Sequence, residues 1–532
     1  MDKPAEDTGR ISRSAGTVGA AVMCSRVLGL VREQVFAFLF GAGFAYDAFV
    51  VAFRIPNLLR DLFGEGALSA AFVTVFSDYD TNKGKEETLR LVGNILVFIT
   101  ILLSLITLLG IVFAKPLVDL LVESSFEQIP GKVELTSKLT VIMFPFLIFI
   151  SLSSVVMGIL NTRGRFFIPS ISSSFFNLGS IIGGVTLAVV LPMYGHPAIV
   201  GMAVGTLIGG VLQFAGQLPA LYKTGFRFKP NLDLRDPGLI RVLRLMVPAV
   251  VGLAAFQINI FVNNFFASSL EEGSLSWLNY AFRLFQFPLG VFGVAISIAT
   301  LPVIAKYAAV KDIPKMKETY TSSLTLAFCL TIPSMVGLII LAEPIIRIIF
   351  QYGKFDAFTT AKTAEALQFY TIGLFAYSSV KIIVPVFYTI DSTRYPVIGS
   401  FLAVAVNIIM VVFTIDHLQH KALAFSISCA MIVNFIYLSA VLYRKLGGYS
   451  LSYLFAGFGK VVTAASIMGV WIFGVKQWIM PALGKGVVFD ILGLLLCIFS
   501  GALLYGIILY FLKLRELTYL TEKMVGRIKA RG

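Results

Sequence analysis

The segment AFRIPNLLRDLFG at residues 52–64 returns as AFRLFQFPLGVFG at residues 281–293. Both copies begin with Ala-Phe-Arg and end with Phe-Gly, and they align without a gap. Three shorter matches follow in order at an offset of about 225 to 230 residues: 116–121 with 344–349, 153–155 with 378–380, and 165–169 with 394–396. Each match alone is weak, but four in order at one spacing predict an internal structural repeat.

The composition indicates that this repeat folds in a lipid bilayer. Of the 532 residues, 57% are hydrophobic and 14% are charged, and the mean hydropathy is +0.87. A soluble domain carries roughly 25% charged residues. The apolar runs are long and continuous instead of alternating, so they predict membrane-spanning helices and not β-barrel strands. We therefore expect an all-α polytopic membrane protein.

Apolar runs long enough to cross a bilayer recur along the whole chain. We predict about fourteen transmembrane helices, at 14–38, 44–77, 92–114, 136–160, 169–192, 197–222, 240–267, 276–305, 320–342, 364–389, 396–415, 421–443, 453–477 and 487–512. The repeat contains about six of them, and an even number keeps both copies in one orientation. The expected plan is two six-helix lobes related by a parallel repeat, followed by two C-terminal helices. Transporters use this plan, in which the substrate binds between halves that rock against each other.

The predicted organisation follows the spans. Its parts are a cytoplasmic N-terminal segment (1–13), an N-lobe (14–222), a cytoplasmic linker (223–239), a C-lobe (240–443), the two C-terminal helices (444–512) and a basic cytoplasmic tail (513–532). The chain begins with polar and charged residues, so we expect no cleavable signal peptide.

Basic residues favour one side of the predicted membrane. About 26 fall in connections on the side that contains both termini, and about nine fall on the other side. The positive-inside rule therefore places both termini in the cytoplasm. This one-sided distribution and contact with anionic lipid head groups account for the formal net charge of +14. The charge therefore does not indicate a nucleic-acid partner, and we expect none.

Several arginines lie inside apolar spans, where an isolated charge is costly. They include Arg26, Arg32, Arg60 and Arg283. The glutamates Glu33 and Glu65 cannot neutralise all of them, and arginine barely deprotonates, so the excess must face water or an anion. The planar guanidinium suits phosphate oxygens. The pattern predicts an aqueous cationic cavity for an anionic substrate such as a phosphate or diphosphate.

Asp47 stands near the outer end of the second span. Arg54 follows seven residues later on the same helix face, so a pair with Arg54 or a helix-capping role is favoured over substrate contact. Pro56 is expected to break or kink this span, and Gly64 and Gly66 loosen it.

The sequence carries no signature of a cofactor or of catalysis. His417 and His420 stand close together in an expected short loop, but three histidines in the whole chain are too few for a metal centre. No phosphate-binding loop and no nucleophile–base arrangement is visible. We therefore expect a transporter without cofactor or metal, and not an enzyme.

Long motifs then identify a family resemblance. They are SRVLGLVRE (25–33), GAGFAYDAFVVAFRIPNLLRDLFGEGALSAAFVTVF (41–76), LNTRGRFFIPS (160–170), FASSLEEGSLSWLNYAFRLFQFPLGVFG (266–293) and FQYGKFDAF (350–358). The chain resembles the MurJ (MviN) family of lipid II flippases, within the multidrug/oligosaccharidyl-lipid/polysaccharide exporter superfamily. The resemblance runs from about residue 12 to beyond 440.

The resemblance implies a substrate and roles for the charged residues. Lipid II is an undecaprenyl-diphosphate that carries a disaccharide-pentapeptide, made at the cytoplasmic face of the bacterial inner membrane and used outside it. By resemblance, the residues that bind the diphosphate are Arg26, Arg32, Arg60, Arg283 and Ser25. The acidic positions that set cavity charge or gating fall by resemblance on Asp47 and Glu65, and Glu33 joins them as an expected ion-pair partner of the arginines. Two residues depart from some relatives: Asp61 stands where some have a second arginine, and Phe282 where some have an acidic residue. We therefore expect a different local charge balance in the cavity.

The resemblance also implies partners and a mechanism. Expected partners are lipid II and membrane lipids, with proteins of peptidoglycan synthesis as candidates, and we expect the protein to act as a monomer. The lobes would alternate between inward and outward access while the last two spans hold the lipid tail.

Four other functions stay open at this point: an exporter of drugs, a flippase for another polyprenyl-linked glycan, a membrane enzyme acting on the same lipid, and a scaffold.

Overall fold

The computed structural model describes residues 3–63, 67–484 and 486–514, and its regular structure within these ranges is helical. The α-helices are α1 (Lys3–Phe40), α2 (Phe44–Phe63), α3 (Ala67–Asn82), α4 (Lys85–Val112), α5 (Ala114–Leu121), α6 (Ser124–Glu127), α7 (Lys132–Met143), α8 (Phe146–Thr162), α9 (Phe167–Val190), α10 (Ala198–Ala215), α11 (Leu218–Lys223), α12 (Pro237–Ser268), α13 (Ser274–Pro288), α14 (Ala295–Ala309), α15 (Ile313–Phe350), α16 (Ala357–Ile372), α17 (Leu374–Thr389), α18 (Arg394–Leu418), α19 (His420–Lys445), α20 (Leu451–Gly474) and α21 (Val487–Phe511). Short 3₁₀ or π segments extend or join some of them, at Leu191–Tyr194, Leu289–Val294, Val475–Ile479 and Pro481–Leu483.

The helices confirm an all-α protein with many membrane spans. Over the described ranges, ten helical segments are long and apolar enough to cross a membrane, and the α16–α17 pair, bent by 44°, raises the count to eleven. Three predicted spans are helical but do not meet this criterion of length and hydropathy. They are the first span, on α1, the second, on α2 and α3, and the seventh, on α12. The count of fourteen therefore stays a prediction.

Two local expectations differ from the structure. Helix α2 continues through Pro56 to Phe63 without the break considered there, and α3 begins at Ala67; Gly64 and Gly66 lie outside the described residues. His417 and His420 lie on α18 and α19 instead of in a loop. The single residue Gln419, with a φ of 52°, is enough to separate those two helices.

Contacts divide the chain into two compact units, Met1–Ser276 and Trp277–Gly532. This boundary lies within α13, whereas the sequence repeat predicts the boundary between the lobes at the linker 223–239. The reason is that α12, the first helix after the linker, packs against α3 of the first unit. The lobe boundaries read from the repeat stay a prediction.

Each unit has its own apolar core. In the first unit α3, α4, α8 and α12 meet around side chains that are at most 1% exposed: Phe72, Leu91, Ile159 and Leu239. In the second unit α15, α17, α19 and α20 meet around fully buried side chains: Tyr320, Ile383, Leu438 and Val461.

Small residues bring α9 and α10 close together. Gly201, Gly205 and Gly209 recur every four residues along α10 and so share one face. A methyl group at Gly205 would lie 2.5 Å from backbone atoms of Gly184 on α9. Because lipid supplies no hydrophobic force between helices, such close van der Waals packing is what associates them. Helix α9 is thus held against α10, and it also contacts α1.

The linker before α12 is bound to α4. The side-chain amide of Asn94 donates to the carbonyl of Asp233, and the Asp233 N–H donates back to the Asn94 side chain, both at 2.8 Å. At Gly93 a methyl group would meet the Lys229 carbonyl at 2.1 Å, so the absence of a side chain lets the linker approach. The linker is therefore a fixed part of the first unit.

Candidate functional site

Helix α1 places Ser25 and Arg26 beside α9. Asn177 of α9 donates its side-chain amide to the Ser25 carbonyl at 3.1 Å, so this turn of α1 is fixed by a hydrogen bond. The Arg26 side chain is exposed, and it forms no ion pair or hydrogen bond with the residues at 3–63, 67–484 or 486–514. Arg26 thus presents an uncompensated guanidinium from a fixed helix.

Arg32 lies further along α1 and is largely buried, with 11% of its side chain exposed. Its guanidinium is 2.9 Å from a carboxylate oxygen of Glu33 and 5.2 Å from the ring centroid of Phe176 on α9. The other Glu33 oxygen accepts a 2.7 Å hydrogen bond from the Tyr46 hydroxyl. Glu33 therefore neutralises Arg32 and connects α1 to the first turn of α2.

Arg60, in the last turn of α2, pairs with its neighbour Asp61. Its Nε and one terminal nitrogen lie 3.2 and 2.8 Å from the same Asp61 oxygen. The other Asp61 oxygen accepts a long 3.5 Å hydrogen bond from Gln257 of α12. The side chains of Arg60 and Asp61 are 26% and 24% exposed, so this pair is accessible.

The charge balance of these arginines differs from the one that the sequence suggested. The acids considered for the arginines were Glu33 and Glu65, but Asp61 is the carboxylate that Arg60 contacts. Within the first unit, Arg32 and Arg60 each have an adjacent acid, and Arg26 has none among the described residues. A net positive charge is left on α1.

Two further residues of the predicted site, Glu65 and Arg283, do not belong to the described part of the first unit. Glu65 falls outside the described residues. Arg283 is exposed on α13, in the second unit, where the neighbouring Phe282 packs on Phe285 and Tyr370.

Asp47 is the most enclosed acid of the predicted set, with 2% exposure in the first turn of α2. One carboxylate oxygen is 3.2 Å from Lys132 Nζ and accepts from the Gly273 N–H at 2.8 Å. The other accepts from the backbone N–H and the hydroxyl of Ser276, at 3.0 and 2.5 Å. Asp47 therefore caps the start of α13, and its charged partner is Lys132 of α7, not Arg54.

Lys132 was missed by the sequence analysis as a site residue. It is 1% exposed, and its Nζ lies 3.9 Å from a Glu272 oxygen and 4.6 Å from the Phe126 ring centroid. Glu272 in turn accepts the Phe44 N–H at 2.9 Å. The only signal in the sequence was a lysine at an outer connection, and nothing in it marked this lysine as buried.

The connection before α6 carries a strongly acidic glutamate outside the spans. The Ser124 hydroxyl and then the Ser125 N–H donate to the Glu123 carboxylate, and these hydrogen bonds lower its pKa to about 2. The Glu123 N–H donates to the Ser268 hydroxyl at 2.8 Å, which fastens this connection to the end of α12. The carboxylate stays charged at every physiological pH.

The described residues hold no group of three or more histidine, cysteine, aspartate or glutamate side chains that could bind a metal ion. The first unit has arginine side chains on α1 and α2 instead. Arg32 and Arg60 each contact an acid, and Arg26 contacts none among the described residues. Guanidinium groups of this kind bind carboxylates and phosphates by paired hydrogen bonds.

Comparison with known proteins identifies the family. The family model described as lipid II flippase MurJ matches residues 36–493. A probable lipid II flippase MurJ of Buchnera aphidicola subsp. Acyrthosiphon pisum is 36% identical over 429 residues, which are 81% of this chain and 83% of the relative. The lipid II flippase MurJ of Burkholderia cenocepacia is 35% identical over 448 residues, which are 82% of this chain and 84% of the relative.

Solved structures agree with that match. A structure of lipid II flippase MurJ in an inward closed conformation aligns with a TM-score of 0.77 at 27% identity, over 93% of this chain and 99% of that one. An inward-facing multidrug resistance MATE family transporter of the MOP superfamily aligns with a TM-score of 0.60 at 18% identity, over 81% of this chain and 95% of that one, which shows the fold alone. The chain belongs to the MurJ family of lipid II flippases.

Proposed function

We propose that this protein is a lipid II flippase, which moves the lipid-linked peptidoglycan precursor from the cytoplasmic to the outer leaflet of the bacterial inner membrane. Relatives that carry this name match 81% and 82% of the chain. The structural observation that supports it is the exposed Arg26 of α1, which contacts no acid within the described ranges, whereas Arg32 and Arg60 each contact an adjacent acid.

The diphosphate of the substrate is the group that these arginines bind. Arg26 makes the first contact, because its guanidinium needs no acid to leave before it binds phosphate. Arg32 and Arg60 exchange their Glu33 and Asp61 contacts for phosphate oxygens, which keeps each guanidinium paired throughout. Arg283 adds a further cation and Ser25 a hydroxyl donor.

Asp47, Glu33 and Glu65 control opening. Asp47 accepts three hydrogen bonds from Gly273 and Ser276 while it is paired with Lys132, so α2, α7 and the start of α13 move together only while these contacts hold. Opening at this end requires that they break. Glu33 couples Arg32 to Tyr46 on α2, so binding of phosphate to Arg32 is transmitted to the same helix.

The polyprenyl tail stays in lipid along α20 and α21. These helices have large exposed apolar side chains, among them Phe455 at 71% and Phe499 at 68%. The protein acts as a monomer by alternating access, with both termini in the cytoplasm and no catalytic step. Membrane potential provides a bias of about 2.3 kcal/mol per charge per 100 mV. Proteins of peptidoglycan synthesis are candidate partners.

The test uses bacteria depleted of their own lipid II flippase. The chain is expressed in them, and the fraction of lipid II that an outer-face enzyme can modify is measured. We expect accessibility to return with the natural chain and to be lost in the Arg26→Ala/Arg283→Ala variant. A variant of two exposed lysines outside the proposed site, Lys306→Gln/Lys311→Gln, serves as the matched control and should transport normally.

The outcomes separate the alternatives. No restoration by a well-inserted natural chain would contradict transport of lipid II and would direct the search to another polyprenyl-linked glycan. Conversion of labelled lipid II into a new product by the purified protein would contradict the assignment as a transporter.

A further inference from the structure

Two cations in the second unit lie against one tyrosine ring. Arg394, the first residue of α18, has its guanidinium carbon 4.8 Å from the ring centroid of Tyr395 and donates to the Tyr395 hydroxyl at 2.8 Å. Lys445, the last residue of α19, has its Nζ 5.3 Å from the same centroid. Both cationic side chains are exposed. The ring therefore holds two positive charges side by side at the ends of two helices.

No acid of the described chain compensates these charges. Neither Arg394 nor Lys445 forms an ion pair within residues 3–63, 67–484 and 486–514, although Asp391 stands three residues before Arg394. Lys315 of the same unit shows the ordinary arrangement: it lies 5.9 Å from the Tyr307 ring but also 3.0 Å from an Asp312 carboxylate oxygen. The pair on Tyr395 thus lacks the counter-ion that a similar cation–aromatic contact has.

An exposed apolar stripe begins at the same place. Val397, Ile398 and Phe401 follow Arg394 at the third, fourth and seventh positions, so the four side chains lie on one face of α18. Their exposures are 39%, 48% and 44%. The stripe leads from the cations along the first two turns of a candidate membrane span, so one lipid can place its charged head group at Arg394 and an acyl chain on the stripe.

We propose that Arg394, Tyr395 and Lys445 form a binding site for the phosphate head group of an anionic phospholipid. The two cations bind the phosphate, the tyrosine ring keeps them in place, and one acyl chain lies along Val397, Ile398 and Phe401. Tyrosine and arginine at a helix end suit the head-group level of a bilayer. By the positive-inside assignment the site faces the inner leaflet, where anionic lipid is attracted by clustered basic residues.

The charge of the site argues against the chain's own C-terminal tail as the occupant. Residues 515–532 contain five basic residues, Arg515, Lys523, Arg527, Lys529 and Arg531, and two acids, Glu516 and Glu522. A segment with this net positive charge is repelled by Arg394 and Lys445. A phosphodiester is attracted by both.

The experiment counts and titrates lipids bound to the purified full chain by native mass spectrometry, with phosphatidylglycerol and phosphatidylcholine as probes. The variant Arg394→Gln/Lys445→Gln removes both charges, and Lys306→Gln/Lys311→Gln removes two exposed charges of the same unit as a matched control. We expect the tightest phosphatidylglycerol site to weaken about 25- to 30-fold in the first variant, since each of the two basic residues contributes about fivefold. It should be unchanged in the second.

Three results would overturn the site. Equal loss of phosphatidylglycerol in both variants would mean that only total charge matters. Equal binding of phosphatidylcholine would mean that the phosphate's net charge is not recognised. Displacement of the phosphatidylglycerol by lipid II would assign the site to the substrate's diphosphate instead of a phospholipid. None of these readouts depends on transport, so they stand apart from the test of the flippase function.

Discussion

Lys132 and Asp47, 85 residues apart in the chain, form a 3.2 Å ion pair in which both side chains are only 2% exposed. The pair joins α7 to α2, and through the Ser276 N–H it joins both to the start of α13. A buried pair of this kind adds little over an apolar pair, but breaking it leaves one uncompensated charge, which costs about 3–5 kcal/mol. The pair therefore makes folding sensitive to either single substitution.

The variant Lys132→Met should lower the free energy of unfolding by about 3 kcal/mol, because Asp47 loses the cation with which it is paired and stays buried. Thermal unfolding of the purified protein in detergent measures the change. Lys115→Met is the matched control, since Lys115 pairs with Asp119 at 3.4 Å but is 64% exposed. That control should change stability by no more than about 0.5 kcal/mol.

The variant Asp47→Asn/Lys132→Met should be more stable than the sum of the single variants predicts. Asparagine keeps an oxygen that accepts the Ser276 N–H and removes the charge that Lys132 neutralised. The coupling free energy is expected to be about 1–3 kcal/mol in the thermal unfolding assay. Strictly additive effects would mean that the two side chains do not act as a pair.

Arg26→Glu should abolish transport without unfolding the protein. Arg26 is exposed and has no partner within the described ranges, so reversing its charge should change stability by about 0.5 kcal/mol or less. The two measurements are lipid II accessibility in depleted cells and thermal unfolding. A folded Arg26→Glu variant that restores normal accessibility would falsify the phosphate-binding role of Arg26.

Arg32→Ala should differ from Arg26→Glu by losing both transport and stability. Removing Arg32 leaves the Glu33 carboxylate, 3% exposed, with the Tyr46 hydroxyl and without its cation, at a cost of about 1–3 kcal/mol. The double variant Arg32→Ala/Glu33→Gln should recover stability, because the uncharged amide needs no cation. It should not recover transport. If the double variant transports lipid II, Arg32 serves only to neutralise Glu33.

The sequence predicted the parts of this structure that depend on one segment at a time. Apolar runs marked the helices, and Arg26, Arg32 and Glu33 were located on α1 because charges interrupt an apolar run there. A capping role was one of the two considered for Asp47, but the helix that it caps is α13 and not its own, which its place in the sequence did not indicate.

The parts that depend on how helices meet could not be predicted. Apolar periodicity does not say which helix faces which, so Lys132 could not be brought to Asp47 across 85 residues. Adjacent residues on a helix point about 100° apart, so Asp61 was not recognised as the partner of Arg60. The contact forms because the long Arg60 side chain bends back to the short Asp61 carboxylate.

Gly205→Ala should destabilise the protein, even though alanine favours helices over glycine by about 1 kcal/mol. The added methyl group would lie 2.5 Å from the Gly184 backbone, and backbone atoms cannot move aside as a side chain end can. Helices α9 and α10 would separate, which also shifts the Phe176 and Asn177 contacts with α1. We expect a loss of about 1–3 kcal/mol by thermal unfolding.

Gly337→Ala is the matched control for this packing argument. Gly337 lies inside α15, and an added methyl group there would meet nothing within 4 Å. Helix propensity alone then predicts a small gain in stability, up to about 1 kcal/mol. Opposite signs for the two glycine substitutions would show that close approach of α9 and α10, and not helix propensity, determines the effect at Gly205. Equal gains at both positions would mean that the two helices have room to separate without cost.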